Sequence, residues 1–338
     1  MDQKFSRIVW PAIGLAVAAF CIWALAREIS SLSWADLAHS LGQVGPLSWL
    51  GAFGGAVLAY FALAAYDRVA LQHLGRTLPW PFIALASFVS YALSHNIGAA
   101  LISGGIVRYR IYSTKGLSLA EVAVLVGFCA FTFCLGVTVL GGLILIAEPT
   151  LVQRYVDMPP AMAAAAGFVM LGGVAIYVVG SLLKLPPLRI GHFALSYPHP
   201  AIVARQLIVG PLELIGAAAV IYFCLPAAGN PGFIAVLGIF LASFSLAIFS
   251  HAPGGIGVLE YLFVTGLKDM ATADVLAALI IFRLVYLVIP LAVSFVVVLL
   301  FERQQLLLRR QGIAAAGMAP AIAPTTLPAV APRPLVDG

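Results

Sequence analysis

The chain has 338 residues, 62% of them hydrophobic and 9% charged, with mean hydropathy +1.07; soluble domains carry roughly 25% charged residues. This composition excludes a soluble globular enzyme and leaves an all-α polytopic membrane protein, in which each helix satisfies its own backbone where water is absent. The net charge of +5 is assigned to membrane topology rather than to nucleic acid, because of where the basic residues fall between apolar runs.

Six runs reach the roughly 20 apolar residues that a span requires: residues 8–26, 47–66, 119–147, 161–183, 207–225 and 275–301. The first follows a basic start (Lys4, Arg7) and ends in Ala24-Leu25-Ala26, which resembles a signal-peptidase site. Its length exceeds an ordinary signal-peptide apolar region, which favours an uncleaved anchor and leaves removal of residues 1–26 open. Two more runs, 81–105 and 232–267, are apolar but interrupted. The first contains Gly98, Gly104 and Gly105 and ends at Arg108 and Arg110; the second contains Pro253, Gly254, Gly255 and Gly257 and ends beyond Glu260. After residue 301 an Ala/Pro-rich stretch without periodicity reads as a disordered cytoplasmic tail, giving a membrane domain over 1–302 and a tail over 303–338.

Charge decides how the interrupted runs are counted. With a cytoplasmic N-terminus, and with both interrupted runs returning to the side they entered from, 13 basic residues face the cytoplasm. Only Arg27, Arg154 and Lys268 lie outside. Simple crossings would expel Arg108, Arg110 and Lys115, against the positive-inside rule. Re-entrant segments and fully crossing hairpins satisfy the count equally.

Both interrupted runs read F-x5-S-H-x-x-G, from Phe88 to Gly98 and from Phe244 to Gly254. Each half, about 8–147 and 161–301, is then span, span, broken segment, span, in opposite orientations. Inverted repeats whose broken helices meet near the midplane are typical of secondary transporters. A kinked core helix packed through small residues accounts for the same glycines.

Charges at membrane depth are functional candidates: Asp67, Arg108, Glu213, Glu260 and Arg283. Arg283, amid apolar neighbours, requires a counter-ion in Glu213 or Glu260, either as part of a site or as a structural pair. Arg108 and Arg110 are placed to hold a phosphate, which arginine binds bidentately; Lys115 is read as ordinary positive-inside charge. His95 and His251 occupy equivalent repeat positions and are read either as packing residues or as a proton or hydrogen-bond pair. The cysteines lie in apolar runs, and no metal, cofactor or nucleophile motif is present. Gly255-x-Gly257 is read as a turn at a helix start, since no strand precedes it.

SGGIVRYRIYSTKG, HAPGGIGVLE and the R-x-x-Y-x3-P of Arg283, Tyr286 and Pro290 resemble the YbhN-like, flippase-like family. That family includes the membrane part of bacterial lysylphosphatidylglycerol synthase, the multiple peptide resistance factor. The resemblance covers about residues 8–301 and implies a lipid translocase in the bacterial inner membrane, without the soluble transferase domain and without a cofactor. It carries charged site positions onto Asp67, Arg108, Glu213 and Glu260. The expected partner is an anionic or aminoacylated phospholipid. The alternative is a non-transporting subunit that presents a lipid to a separate envelope transferase, and a homo-oligomer fits either.

Overall fold

The computed structural model describes residues 33–97, 100–185, 188–190, 193–195, 197–250, 255–300 and 303. Side chains are described outside residues 97–103, 186–196 and 249–254. The chain divides into units Met1–Phe295 and Val296–Gly338, and nearly all described residues belong to the first. The run at 8–26, residues 304–338, Gly98, His251 and Gly254 lie outside the described residues.

The elements are α1 (Trp34–Gln43), α2 (Pro46–His73), α3 (Trp80–Ile97), α4 (Ala100–Tyr112), α5 (Leu119–Ala147) and α6 (Pro160–Leu182). A two-stranded antiparallel hairpin follows, β1 (Leu188–Ile190) and β2 (Phe193–Leu195). The chain continues with α7 (Pro200–Cys224), α8 (Phe233–Ser250), α9 (Val258–Gly266) and α10 (Thr272–Leu300). Five of these, α2, α5, α6, α7 and α10, are long and apolar enough to cross a membrane. The surface is apolar, with Leu50, Phe53, Val57 and Phe61 exposed along one stripe of α2 at helical spacing. The interior holds Asp67, Arg108, Gln206, Glu213 and several serines. That inversion is expected where the surrounding solvent is hydrocarbon.

Three boundaries differ from the sequence reading. The second run ends in sequence at residue 66, before Asp67 and Arg68, yet α2 continues to His73, because Asp67 is buried with partners that neutralise it. Helix α7 begins at Pro200, a good first helical residue, and so includes Arg205 and Gln206. Helix α1 has no counterpart among the apolar runs; Ser33 and Asp36 form a capping box at its start, and Leu37 and Leu41 pack on the main core.

Each interrupted run is a packed pair of helices, and the first pair is antiparallel. Across α3/α4, Tyr91 lies under the Arg108 guanidinium (4.3 Å to the ring centre), and a Cβ on Gly104 would overlap the Ser94 hydroxyl. Partner numbers fall as the chain advances, so the two helices fold back on each other. Across α8/α9, Ala247 meets both Gly255 and Val258. At 1.5 Å per residue, α4 is about 20 Å long and α9 about 14 Å, both shorter than a hydrocarbon core of about 30 Å.

Helix starts recur at a near-constant spacing. Pro46, Trp80 and Leu119 open α2, α3 and α5; Pro200, Phe233 and Thr272, each 153 or 154 positions later, open α7, α8 and α10. Helices α2 and α7 pack together with opposed directions: Gly51 faces Phe223, Gly55 faces Gly216 and Val220, and the Tyr66 hydroxyl reaches the Gly210 carbonyl at 3.0 Å. Gly55 and Gly216 make this approach possible. A Cβ on Gly216 would fall 2.7 Å from the Ala59 nitrogen and 2.8 Å from the Gly55 oxygen, a close backbone packing of the kind that holds helices together in lipid.

Gly216→Val is expected to lower the melting temperature of the detergent-solubilised protein, by an overpacking penalty of about 1–3 kcal/mol. Gly54→Ala, where the added methyl meets nothing within 4 Å, is expected to leave it unchanged or raise it. Equal losses in the two variants would remove close packing as the explanation.

Candidate functional site

Among the described residues, two charge clusters and one acid without a cationic partner occupy the interior. The first cluster centres on Asp67, six residues before the end of α2. Arg108 from α4 donates to it twice, Nη2 to Oδ1 at 3.0 Å and Nε to Oδ2 at 3.3 Å. The Tyr112 hydroxyl donates to Oδ2 at 2.9 Å, and the Cys129 thiol from α5 to Oδ1 at 3.4 Å. Asp67 is 0% and Arg108 3% exposed. The guanidinium also rests on Tyr91, so a charge-assisted pair is combined with a cation–π contact. Gly104 is required here, since its Cβ would lie 3.1 Å from Arg108 Nη1 as well as against Ser94. Gly105 has no such neighbour; its nearest atom, on Val126, is 3.9 Å away.

The second cluster joins α9 to α10. Arg283 donates through Nε to Glu260 Oε1 at 2.7 Å, and Nη2 lies 2.5 Å from the same oxygen. Glu260 Oε2 accepts from the Gly257 N–H at 2.8 Å. Glu260 is the third residue of α9, so its carboxylate also sits against the positive end of that helix. Gly255 (φ +64) and Gly257 (φ +84) adopt left-handed backbone, which only glycine enters without strain. They form the turn at a helix start that their sequence suggested. Unlike the first cluster this one is partly open, with side-chain exposures of 20% for Arg283 and 13% for Glu260.

Arg283 also begins a π turn, Arg283–Val288, within α10. Such turns leave carbonyls without their usual helical donors and are frequent at functional sites. Here the Tyr60 hydroxyl donates to the Tyr286 carbonyl (3.1 Å) and Asn96 Nδ2 to the Leu287 carbonyl (3.2 Å). Helices α2 and α3 therefore both grip the turn. The side chain of Tyr286 points the other way chemically, its hydroxyl donating to Glu213 Oε1 at 2.9 Å.

Glu213 is 1% exposed, two residues after Pro211 in the middle of α7. Its Oε2 has no hydrogen-bond partner among the described residues. Of the two acids proposed as counter-ions for Arg283, Glu260 takes that place and Glu213 does not. His95 stacks on Tyr286 (5.6 Å, 19°) and meets Phe244 of α8 edge-on at 6.4 Å. Its Nδ1 likewise has no partner among the described residues. Arg110 is exposed at the end of α4, so Arg108 and Arg110 do not share one pocket. Among the described residues no three His, Cys, Asp or Glu side chains cluster to hold a metal ion.

The structure thus brings Arg283, Glu260, Glu213 and His95 around one π turn, and Tyr91, whose ring meets both His95 (5.7 Å) and the Arg108 guanidinium, links this group to the Asp67–Arg108 pair. The residues that join them, Tyr60, Asn96 and Tyr112, were not singled out from sequence. Hydroxyls and an amide inside apolar runs were the available signal, because such groups need partners in hydrocarbon.

The chain matches the lysylphosphatidylglycerol synthase TM region family over residues 12–294. It belongs to that family. An uncharacterized protein of Synechocystis is 30% identical over 86% of this chain and 90% of its own. The inner membrane protein YbhN of Escherichia coli is 29% identical over 84% and 89%. Phosphatidylglycerol lysyltransferase of Staphylococcus aureus is 20% identical over 88% of this chain but only 34% of its own length. The similarity to the transferase therefore covers about a third of that protein.

Asp67→Asn is expected to destabilise the protein by about 3–5 kcal/mol, because it leaves the Arg108 charge buried without its counter-ion. Combining it with Arg108→Gln is expected to cost less than the sum of the single losses, and a thermal-denaturation double-mutant cycle measures the coupling. Gly257→Ala is expected to cost about 1–3 kcal/mol through backbone strain, whereas Gly105→Ala is expected to be nearly neutral in the same assay.

Proposed function

We propose that this protein moves a phospholipid between the leaflets of a bacterial inner membrane, with its termini in the cytoplasm. The observation that carries this reading is the Arg283–Glu260 pair. It is partly open, it joins a broken helix pair to a π turn, and it lies about 16 Å along α10 from Thr272, near the middle of a membrane of about 30 Å. An ion pair at that depth offers a phosphate a guanidinium and an amine a carboxylate, so a charged headgroup can replace each partner in turn without exposing a bare charge to lipid.

Four further features support the reading. The opposed packing of α2 and α7 agrees with an inverted repeat, and the short second arms α4 and α9 agree with segments that enter the membrane and turn back. Arg76 binds Glu121 and Arg205 binds Gln72 on one face, while Arg154 binds the Gly266 carbonyl on the other. That division of loops is the one the positive-inside count requires. A family relative named as a phosphatidylglycerol lysyltransferase supports an anionic or aminoacylated phospholipid as the substrate class. In this reading the Asp67–Arg108 cluster, buried close to the basic face, braces α4 against α2.

The test separates a headgroup site from a structural pair. In proteoliposomes, Glu260→Gln and Arg283→Gln are each expected to slow headgroup movement at least about tenfold, the equivalent of about 1.4 kcal/mol. The charge-swapped double variant, Glu260→Arg with Arg283→Glu, is expected to recover thermal stability but not movement. Movement restored by the swap would make the pair structural, and no movement by the wild-type protein would favour a subunit that presents lipid to a transferase.

A further inference from the structure

We propose that Glu213 is a proton-carrying site, and that the π turn links its protonation to the Arg283–Glu260 pair, so that one proton is coupled to each headgroup movement. This deepens the lipid-transport reading and rests on it. Among the acids at membrane depth, Asp67 and Glu260 each hold an arginine; Glu213 has a single hydrogen bond, from Tyr286, and an oxygen with no partner among the described residues. An ionised carboxylate in that position has one phenol and no cation as partner among the described residues, so the neutral acid is the form that the apolar surroundings accept.

Among the described residues, no side chain packed around Glu213 forms an ion pair with it. Helix α2 presents the neutral phenols of Tyr60 and Tyr66, bonded to the Tyr286 and Gly210 carbonyls. Helix α5 presents only the thiols of Cys129 and Cys134, the former bonded to Asp67. On α6, Tyr177 bonds Gln206, two helical turns from Glu213, and α8 has no ionisable residue from Phe233 to Ser250. From α3, His95 reaches the ring of Tyr286. A purely structural hydrogen bond to Tyr286 would be served as well by glutamine, whose amide brings no ionisation cost.

The link to the headgroup site is short. Tyr286 and Arg283 lie on the same π turn, so a change at the Glu213 carboxyl is felt three residues away at the guanidinium. When Oε2 gives up its proton, the carboxylate demands more donors or a cation. The groups able to respond are Tyr286 and, through the turn, Arg283, whose release from Glu260 would open the pair to a headgroup. The chemical step is one protonation. Glu213 Oε2 gains a proton from hydronium in one aqueous compartment, whose O–H bond breaks as the carboxyl O–H forms, and returns it to water in the other compartment, while Tyr286 keeps its own proton.

The experiment uses the full chain in phosphatidylcholine vesicles carrying labelled phosphatidylglycerol, with and without an imposed pH difference. The wild-type rate is expected to change with the direction of the gradient, by up to about tenfold per pH unit, the limit for one coupled proton. In Glu213→Gln the ratio of rates between the two gradient directions is expected to fall to about one. Glu213→Asp, which keeps a titratable group should the glutamine variant fold poorly, is expected to retain the response with a displaced pH midpoint. A wild-type ratio in Glu213→Gln, or a wild-type protein that moves lipid without responding to pH, would overturn the coupling while leaving lipid transport intact. No lipid movement under any condition would instead overturn the transport reading. An infrared difference spectrum then decides the site alone. A neutral-carboxyl band present at neutral pH in the wild type and absent in Glu213→Gln is expected, and equal spectra would overturn the proposal.

Discussion

A charge inside a bilayer must bring its own solvent, and the interior of this protein is arranged around that requirement. Asp67 is wrapped by a guanidinium, a phenol and a thiol from two further helices, so it costs the fold little to keep. Breaking one contact exposes the others, which makes the cluster a rigid joint between α2, α4 and α5. The Arg283–Glu260 pair meets the same requirement with fewer partners and more exposure. That difference, rather than the identity of the residues, distinguishes the proposed headgroup site from the proposed brace.

The helices that carry these charges approach closely because glycine removes the obstacle. Lipid gives no hydrophobic reward for packing one apolar helix on another, so contact depends on dispersion and on backbone-to-backbone fit. Gly55 with Gly216, Gly136 with Gly210 and Gly142 with Gly167 supply that fit at three separate crossings. The central crossing, α2 on α7, sets where Tyr60 and Tyr66 reach into the partner half. The hydrogen bonds to the Tyr286 and Gly210 carbonyls follow from that register.

The π turn in α10 is the element through which the two halves meet. It is gripped from the first half by Tyr60 and Asn96 and from the second by Glu213 and Glu260, through Tyr286 and Arg283. A turn that combines i→i+5 backbone bonds with side chains from other helices is less regular than an α-helix, whose bonds are all internal. Rearrangement of either broken helix pair therefore reaches the turn directly. Local backbone irregularity is tolerated at this depth because freed carbonyls of the turn, at Tyr286 and Leu287, have found donors in protein.

Composition, run length and loop charge determined the class of this protein and most of its spans, since the transfer of a helix to hydrocarbon depends on its own residues alone. The same physics identified Asp67, Arg108, Glu213, Glu260 and Arg283 as residues needing an explanation, and Gly255 and Gly257 as a turn. Pairing was a different matter. Arg283 had two acids available in sequence, and only the packing of α9 against α10 selected Glu260 and left Glu213 with a phenol. Arg108, placed by its neighbours in the chain at a basic mouth, turned inward to an aspartate 41 positions away. Hydropathy reports how deep a residue lies along its own helix; which face it turns, and toward whom, is set by the lateral contacts between helices, which exist only once the tertiary structure has formed.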